Sequence, residues 1–129
     1  MAERKIIKTD GAPGALGTYS QAVQAGDTLY ISGQVPLNPV TMETDMATFE
    51  IAARRVFNNL KAVAEAAGGS LNDAVKLNIY MTDLANFATV NTVMAEFFDE
   101  PYPARAAVGV ASLPKDVPVE IEAILVLDN

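Results

Sequence analysis

The sequence predicts a single α+β domain, a mixed β-sheet with two helices packed on one of its faces. Two observations carry that reading. Six short segments have strand patterns and two longer ones have helical periodicity, and the two kinds do not strictly alternate along the chain. The length, 129 residues, fits one domain and leaves little room for a second.

The elements follow in order. Ile6-Ile7 begins a short apolar run suited to an edge strand, broken by Gly11-Ala12-Pro13-Gly14. Tyr19 to Ala25 and Thr28 to Ser32 read as strands flanking Gly26-Asp27, where glycine in the first turn position suits a type II′ hairpin. Gly33 to Met42 carries Pro36, Asn38 and Pro39 and reads as loop. From Asp45 to Ala67, Phe49, Ala52, Val56, Leu60, Val63 and Ala67 recur every three or four residues in one apolar stripe. Asp45 is the candidate cap and Gly68-Gly69 the stop.

Val75, Leu77, Ile79 and Met81 then alternate with polar partners, as in a half-buried strand. Ala85 to Phe98 is the second helix, with Phe87, Val90, Met94 and Phe97 on its stripe and Pro101 and Pro103 beyond its end. Ala104 to Ala111 and Val117 to Leu127 are the last strands, separated by Leu113-Pro114-Lys115-Asp116. In the final strand Val117, Val119, Ile121, Ala123 and Leu125 share one face, and Glu120, Glu122, Ile124 and Val126 the other. With both helices on one face of the sheet, the opposite face needs a cover, and a neighbouring subunit is the natural one.

Composition narrows the function. Half the residues are hydrophobic and 19% are charged, against an average near 25% charged. Twenty-one alanines account for part of this, and surface hidden in a homo-oligomer fits the rest. No stretch approaches the roughly 18 apolar residues of a membrane span, and the polar start Met1-Ala2-Glu3-Arg4-Lys5 lacks the apolar core of a signal peptide. The absence of cysteine suits a reducing cytoplasm and removes thiolate chemistry and zinc–cysteine clusters. The absence of histidine removes Ser-His-Asp and Cys-His machinery and imidazole metal sites. Acid–base work falls to carboxylates, lysine, tyrosine or bound water. A net charge of −7 with scattered lysines and arginines opposes nucleic-acid binding.

Arg105 is the most informative single residue. It shares a strand face with the very small Ala107 and Gly109, which leaves room around a group that grips carboxylates through two parallel hydrogen bonds. A salt bridge to one of the sixteen acids is the plainer use. Glu120 sits among apolar neighbours, where a carboxylate can act as a base or orient water, but Glu122 shares its face and spacing does not choose between them. Tyr19, Ser32 and Asn91 can supply hydrogen bonds to a ligand. Ser32 has no histidine or nearby lysine to activate it. The glycines from Gly11 to Gly17 fit neither a dinucleotide fingerprint nor a P-loop.

Ile31-Ser32-Gly33-Gln34-Val35-Pro36-Leu37-Asn38-Pro39 closely resembles a signature of the Rid/YjgF family. So do Ala12-Pro13 with Gly17 and Tyr19, Asn58 to Val63 with Ala66 to Gly68, and Asp83-Leu84 with Asn86 to Asn91. Pro103-Ala104-Arg105, Leu113 to Asp116 and Val119 to Ile124 complete the ordered series, which spans about residue 5 to residue 127. The resemblance implies a chorismate-mutase-like fold and a homotrimer with ligand sites between subunits. It implies hydrolysis of small enamine/imine acids, released by pyridoxal-phosphate enzymes such as threonine dehydratase, to keto acids. No metal or cofactor is implied. Arg105 matches the arginine that binds substrate carboxylate, and Glu120 the glutamate that positions or activates water. Tyr19, Ser32, Gly33 and Asn91 match cleft residues. Rival readings are a sensor of small carboxylates using the same cleft and a ribonuclease or translation inhibitor.

Three residues and one connection depart from the family pattern. Thr18 stands where proline is usual before Tyr19, and Ala107 where cysteine is frequent, leaving its backbone to contact ligand. Met42 replaces a turn glycine, and the Glu100-Pro101-Tyr102-Pro103 connection is short.

Overall fold

The computed structural model describes residues 3–127. Its strands are β1 (Arg4–Ile7), β2 (Ala22–Ala25), β3 (Thr28–Gln34), β4 (Ala74–Met81), β5 (Ala104–Gly109) and β6 (Val119–Val126). Helix α1 (Phe49–Ala66) lies between β3 and β4, and α2 (Phe87–Phe97) between β4 and β5. The six strands form one sheet in the order β1-β2-β3-β6-β4-β5. Only β4 and β5 pair in parallel; every other neighbouring pair is antiparallel. Both helical crossovers, β3 to β4 and β4 to β5, run the same way across the sheet. Crossovers of one hand in one direction place both helices on the same face.

The β2–β3 turn is as the sequence predicts. Gly26 has φ 61 and Asp27 does not share that region, the pattern of a type II′ turn. Helix α1 starts later than expected, because Thr48 is its cap and accepts from the Ile51 N–H at 3.1 Å. Asp45 belongs to the preceding loop, where its N–H donates to the Pro36 carbonyl at 2.7 Å. The second helix also starts later, at Phe87. A 3-10 turn, Leu84–Asn86, precedes it, with Asp83 accepting from the Ala85 N–H.

The core lies between the helices and one sheet face. Leu77, Ile79 and Met81 of β4 and Ile121 and Leu125 of β6 are fully excluded from solvent, against Val56, Phe57, Leu60 and Val63 of α1. Phe57 stacks on Phe97 at 5.4 Å and meets Phe98 edge-on at 5.8 Å, which locks α1 to α2. At the surface Arg54 grips Glu96 with two nitrogens, at 2.9 and 2.8 Å, and Glu50 with one. Gln34 and Asn59 are polar residues buried here. Asn59 is fully buried on α1 and donates to the carbonyls of Val35 (3.2 Å) and Leu37 (3.0 Å), so it fastens the segment after β3 to the helix.

The intervening residues of the same strands face the other way. Tyr30 and Val126 are about half exposed there, and Asn78, Tyr80, Glu120, Glu122 and Ile124 are half-buried. Among the described residues no helix is long and apolar enough to cross a membrane.

Candidate active site

The site residues fall into two groups on opposite faces of the sheet. Arg105 of β5 pairs in register with Leu77, and Ala107 with Ile79, so this arginine points to the helix face at the exposed end of the sheet. There it lies along α2. Its Nη1 donates to Asn91 Oδ1 at 2.5 Å, approaches the Met94 sulfur at 3.7 Å, and its guanidinium sits 4.9 Å from the Phe87 ring centroid. Positions 87, 91 and 94 form one helical stripe, so α2 presents a ring, an amide and a thioether to one cation. The surrounding cleft, about 490 Å³, is completed by Ala95, Tyr102 and Pro103. The small residues beside Arg105 serve packing more than room. A side chain on Gly109 would meet Leu84 at 3.3 Å, and Ala107 packs against the core and lines neither cleft.

Glu120 points to the open face, directly opposite Tyr80. A β-bulge makes its surroundings. The β3–β6 register shifts between Ile31 and Gln34, so Ser32 and Gly33 share one place in the ladder. Gly33 leaves the Glu120 carboxylate its place: a Cβ there would come within 2.9 Å of its Cδ and push the side chain aside. Ser32 spends its hydroxyl on the Ser20 carbonyl at 2.5 Å, while its N–H donates to the Gln21 carbonyl at 2.9 Å. Gln21, buried among carbonyls, donates its amide to Thr9, Ala12 and Pro13. These ties hold the segment that carries Tyr19. Tyr19 itself lies in the loop before β2 rather than in the strand, and its phenol oxygen accepts from the Leu16 N–H.

The cleft around Glu120, about 450 Å³, has Leu16, Val35 and Leu37 as apolar walls. Burial first, and the neighbouring Glu122 charge second, push the Glu120 carboxyl above its ordinary value. No hydrogen bond reaches that carboxylate among the described residues. Glu122 is held instead, by the Tyr80 hydroxyl (3.2 Å) and the Asn78 amide (3.4 Å). The two glutamates that spacing leaves equivalent are therefore unlike: one is clasped, the other is open to a ligand.

The profile of the endoribonuclease L-PSP family matches residues 9–127. A 2-iminobutanoate/2-iminopropanoate deaminase from Dermatophagoides farinae is 47% identical over 128 residues, covering 99% of this chain and 100% of the relative. The chain belongs to the Rid/YjgF family. Among solved structures, RidA from an Antarctic Psychrobacter is 57% identical with a TM-score of 0.92, covering 95% of this chain and 99% of that one. TdcF from E. coli, crystallised with bound serine, is 48% identical with a TM-score of 0.92, covering 96% and 99%.

Within this Rid/YjgF chain, sequence reasoning missed three residues that the geometry brings to the clefts. Phe87 reads as part of the core stripe of α2, yet the residue is over a third exposed and its ring covers Arg105. Its place four residues before Asn91 was the available signal. Tyr102 reads only as part of a helix-ending connection, yet it lines the Arg105 cleft. Lys115 lines the Glu120 cleft from a loop where both Lys115 (φ 59) and Asp116 (φ 55) are left-handed. Such conformations in non-glycine residues cost about 1–3 kcal/mol each and cluster at functional sites.

Proposed function

We propose that this chain is an enamine/imine deaminase of the cytoplasm, hydrolysing small 2-imino acids to 2-keto acids and ammonia in clefts between the subunits of a homotrimer. The observation that carries it is the separation just described. An anion-gripping arginine and an unclasped, proton-attracting glutamate sit on opposite faces of one sheet, so a second copy must bring Arg105 of one subunit to Glu120 of the next. The open sheet face, with Tyr30 and Val126 half exposed, is the surface that copy covers.

The chemistry needs little more. Arg105, aimed by Asn91 and Phe87, holds the substrate carboxylate by a two-pronged contact. Its carbon neighbour, a protonated imine, is already electrophilic. Water attacks that carbon while Glu120 takes a water proton, giving a tetrahedral carbinolamine. Glu120 returns the proton to the nitrogen, the carbon–nitrogen bond breaks as the carboxylate takes the remaining hydroxyl proton, and a keto acid is left while the ammonia carries that proton away as ammonium. An enamine enters the same path after protonation on carbon. Gly33 gives Glu120 its space, and Tyr19 and Ser32 shape the wall beside it; Ala107 offers its backbone at the sheet edge. No covalent nucleophile takes part, which suits a chain without histidine or cysteine. Pyridoxal-phosphate dehydratases release such imines and are the proposed functional partners. Nucleic acid is not, given the charge of −7.

A sensor of amino or keto acids would use the same clefts, and the serine in the TdcF structure is the observation on that side. Adding the purified protein to a threonine dehydratase reaction separates the two. A deaminase accelerates keto-acid release beyond the spontaneous rate; a sensor binds keto acid in calorimetry and leaves the release rate unchanged.

A further inference from the structure

We propose that Glu122 is an electrostatic positioning residue for the reaction, a carboxylate clasped by Tyr80 and Asn78 that fixes a negative charge beside Glu120. The inference rests on the deaminase reading and adds a residue to it. Glu120 and Glu122 are same-face neighbours on β6, opposite Tyr80 and Asn78 of β4 respectively. Tyr80 does not bond the glutamate it faces. Its hydroxyl reaches diagonally to Glu122 Oε1 at 3.2 Å, while Asn78 donates to Oε2 at 3.4 Å. Both donors that β4 offers to this block of four residues thus go to one carboxylate.

The division has a chemical consequence. A carboxylate that accepts two hydrogen bonds is held in place, whereas one beside a fixed negative charge gains by taking up a proton. A glutamate at its ordinary value near 4.3 is a poor base at neutral pH, and a like charge nearby makes it a better one. Burial and the Glu122 charge act on Glu120 in that same direction. The other titratable or charged groups around Glu120 are Tyr80 and, further along, Lys76 of β4 and Tyr30 of β3. Tyr19 and Lys115 line its cleft, and in the proposed trimer Arg105 of the partner subunit faces it. The two lysine ammonium groups and the arginine oppose the effect, and Glu122 is the anion set against them. A merely structural Glu122 would need only its oxygen acceptors, which glutamine partly preserves.

The test compares wild type, Glu122→Gln and Glu122→Asp as intact proteins. Carbon-detected NMR titration of the Glu120 carboxyl gives its midpoint without requiring turnover, and the pH profile of kcat/KM for imine hydrolysis gives the acid limb. Removing the neighbouring charge makes ionised Glu120 less unfavourable, so in Glu122→Gln both the midpoint and the acid limb move to lower pH. The plateau rate falls less than about tenfold, as for a general base made weaker rather than removed. Glu122→Asp keeps the charge and stays nearer to wild type in both readings. A Glu120 midpoint identical in wild type and Glu122→Gln overturns the proposal, and so does a midpoint that moves without the acid limb. Wild-type protein with no turnover at any pH defeats the deaminase reading instead, a result the NMR titration distinguishes because it still reports the charge coupling.

Discussion

The helix-covered face of the sheet and its open face are made by the same strands, one residue out of phase, and they are finished to different degrees. On the covered face Ile79, Met81, Ile121 and Leu125 are fully excluded from solvent beneath α1 and α2. On the open face Tyr80, Glu120, Glu122 and Ile124 remain half in water beside the more exposed Tyr30. A strand's period of two sends alternate residues to opposite faces, so one chain can satisfy one face and leave the other for a copy of itself. The proposed catalytic pair is split along that line. Arg105 belongs to the finished face and Glu120 to the unfinished one.

The sharpest way to break this comparison is to inactivate each half and mix the halves. Glu120→Gln should lower turnover by roughly 10²–10⁴, the usual worth of a general base. Truncating one partner of a desolvated charge pair costs about 2–5 kcal/mol, so Arg105→Ala should lose about 30- to several-thousand-fold. Lysine should not restore it, lacking the planar fork. Co-expressed, the two inactive chains should regain roughly a quarter of wild-type activity, because in a cyclic trimer of random composition about one junction in four joins an intact arginine to an intact glutamate. Activity that stays at the level of the separate variants would mean that both groups act within one subunit.

The next largest effects should separate folding from assembly. Phe57 stacks on Phe97 and Phe98 at the centre of the covered face, and Phe57→Ala should cost about 3–5 kcal/mol in denaturant unfolding. Ile124→Lys, in the middle of the open face opposite Tyr30, should leave the protomer folded by circular dichroism and shift light scattering from trimer to monomer. A charge left unpaired in an interface is the reason. A trimer that tolerates the lysine would place the interface elsewhere.

Much of this architecture is legible in the sequence, and what is not has a common cause. The alternation Val119, Ile121, Ala123, Leu125 and the stripe from Ala52 to Val63 report burial directly, because each residue's neighbours in its own element fix its side. The sequence pattern puts the helix cap at Asp45, whereas Thr48 takes that place because Asp45 is held by Pro36, a contact made across a loop. Tyr19 reads as a strand residue because Gln21 looks like an ordinary polar alternation. Its burial depends on three carbonyls of another segment. The faces of Arg105 and Glu120 could each be read locally, yet their relation could not. It depends on β6 entering the sheet between β3 and β4, a non-local pairing that puts β4 between the two strands. The family motif supplies the glutamate's identity, while the reason Gly33 accompanies it is a contact 87 residues away in sequence, between positions 33 and 120.

The smallest predicted effect lies in the turn of the loop after β3, beyond the Val35 and Leu37 that wall the Glu120 cleft. Asn38 organises its turn, accepting from the Val40 and Thr41 N–H groups at 2.9 and 3.2 Å, and the Met42 N–H closes it on the Asn38 carbonyl at 2.8 Å. Met42 sits there at φ 61, where its Cβ is crowded and glycine is at ease. Relief of that strain is worth about 1–3 kcal/mol. Glycine's greater freedom in the unfolded chain takes back about 0.4–1 kcal/mol, and the half-buried methionine side chain loses some apolar contact. Met42→Gly should therefore raise stability by no more than about 1 kcal/mol, or about 2–4 °C in melting temperature for a chain of this size. Because Asn59 ties the start of this loop to α1, the change should stay local, leaving trimer assembly and kcat/KM at wild-type values. A clear loss of stability would show that the methionine's packing outweighs its backbone strain. A change in assembly would show that this loop, and not the open sheet face alone, touches the neighbouring subunit.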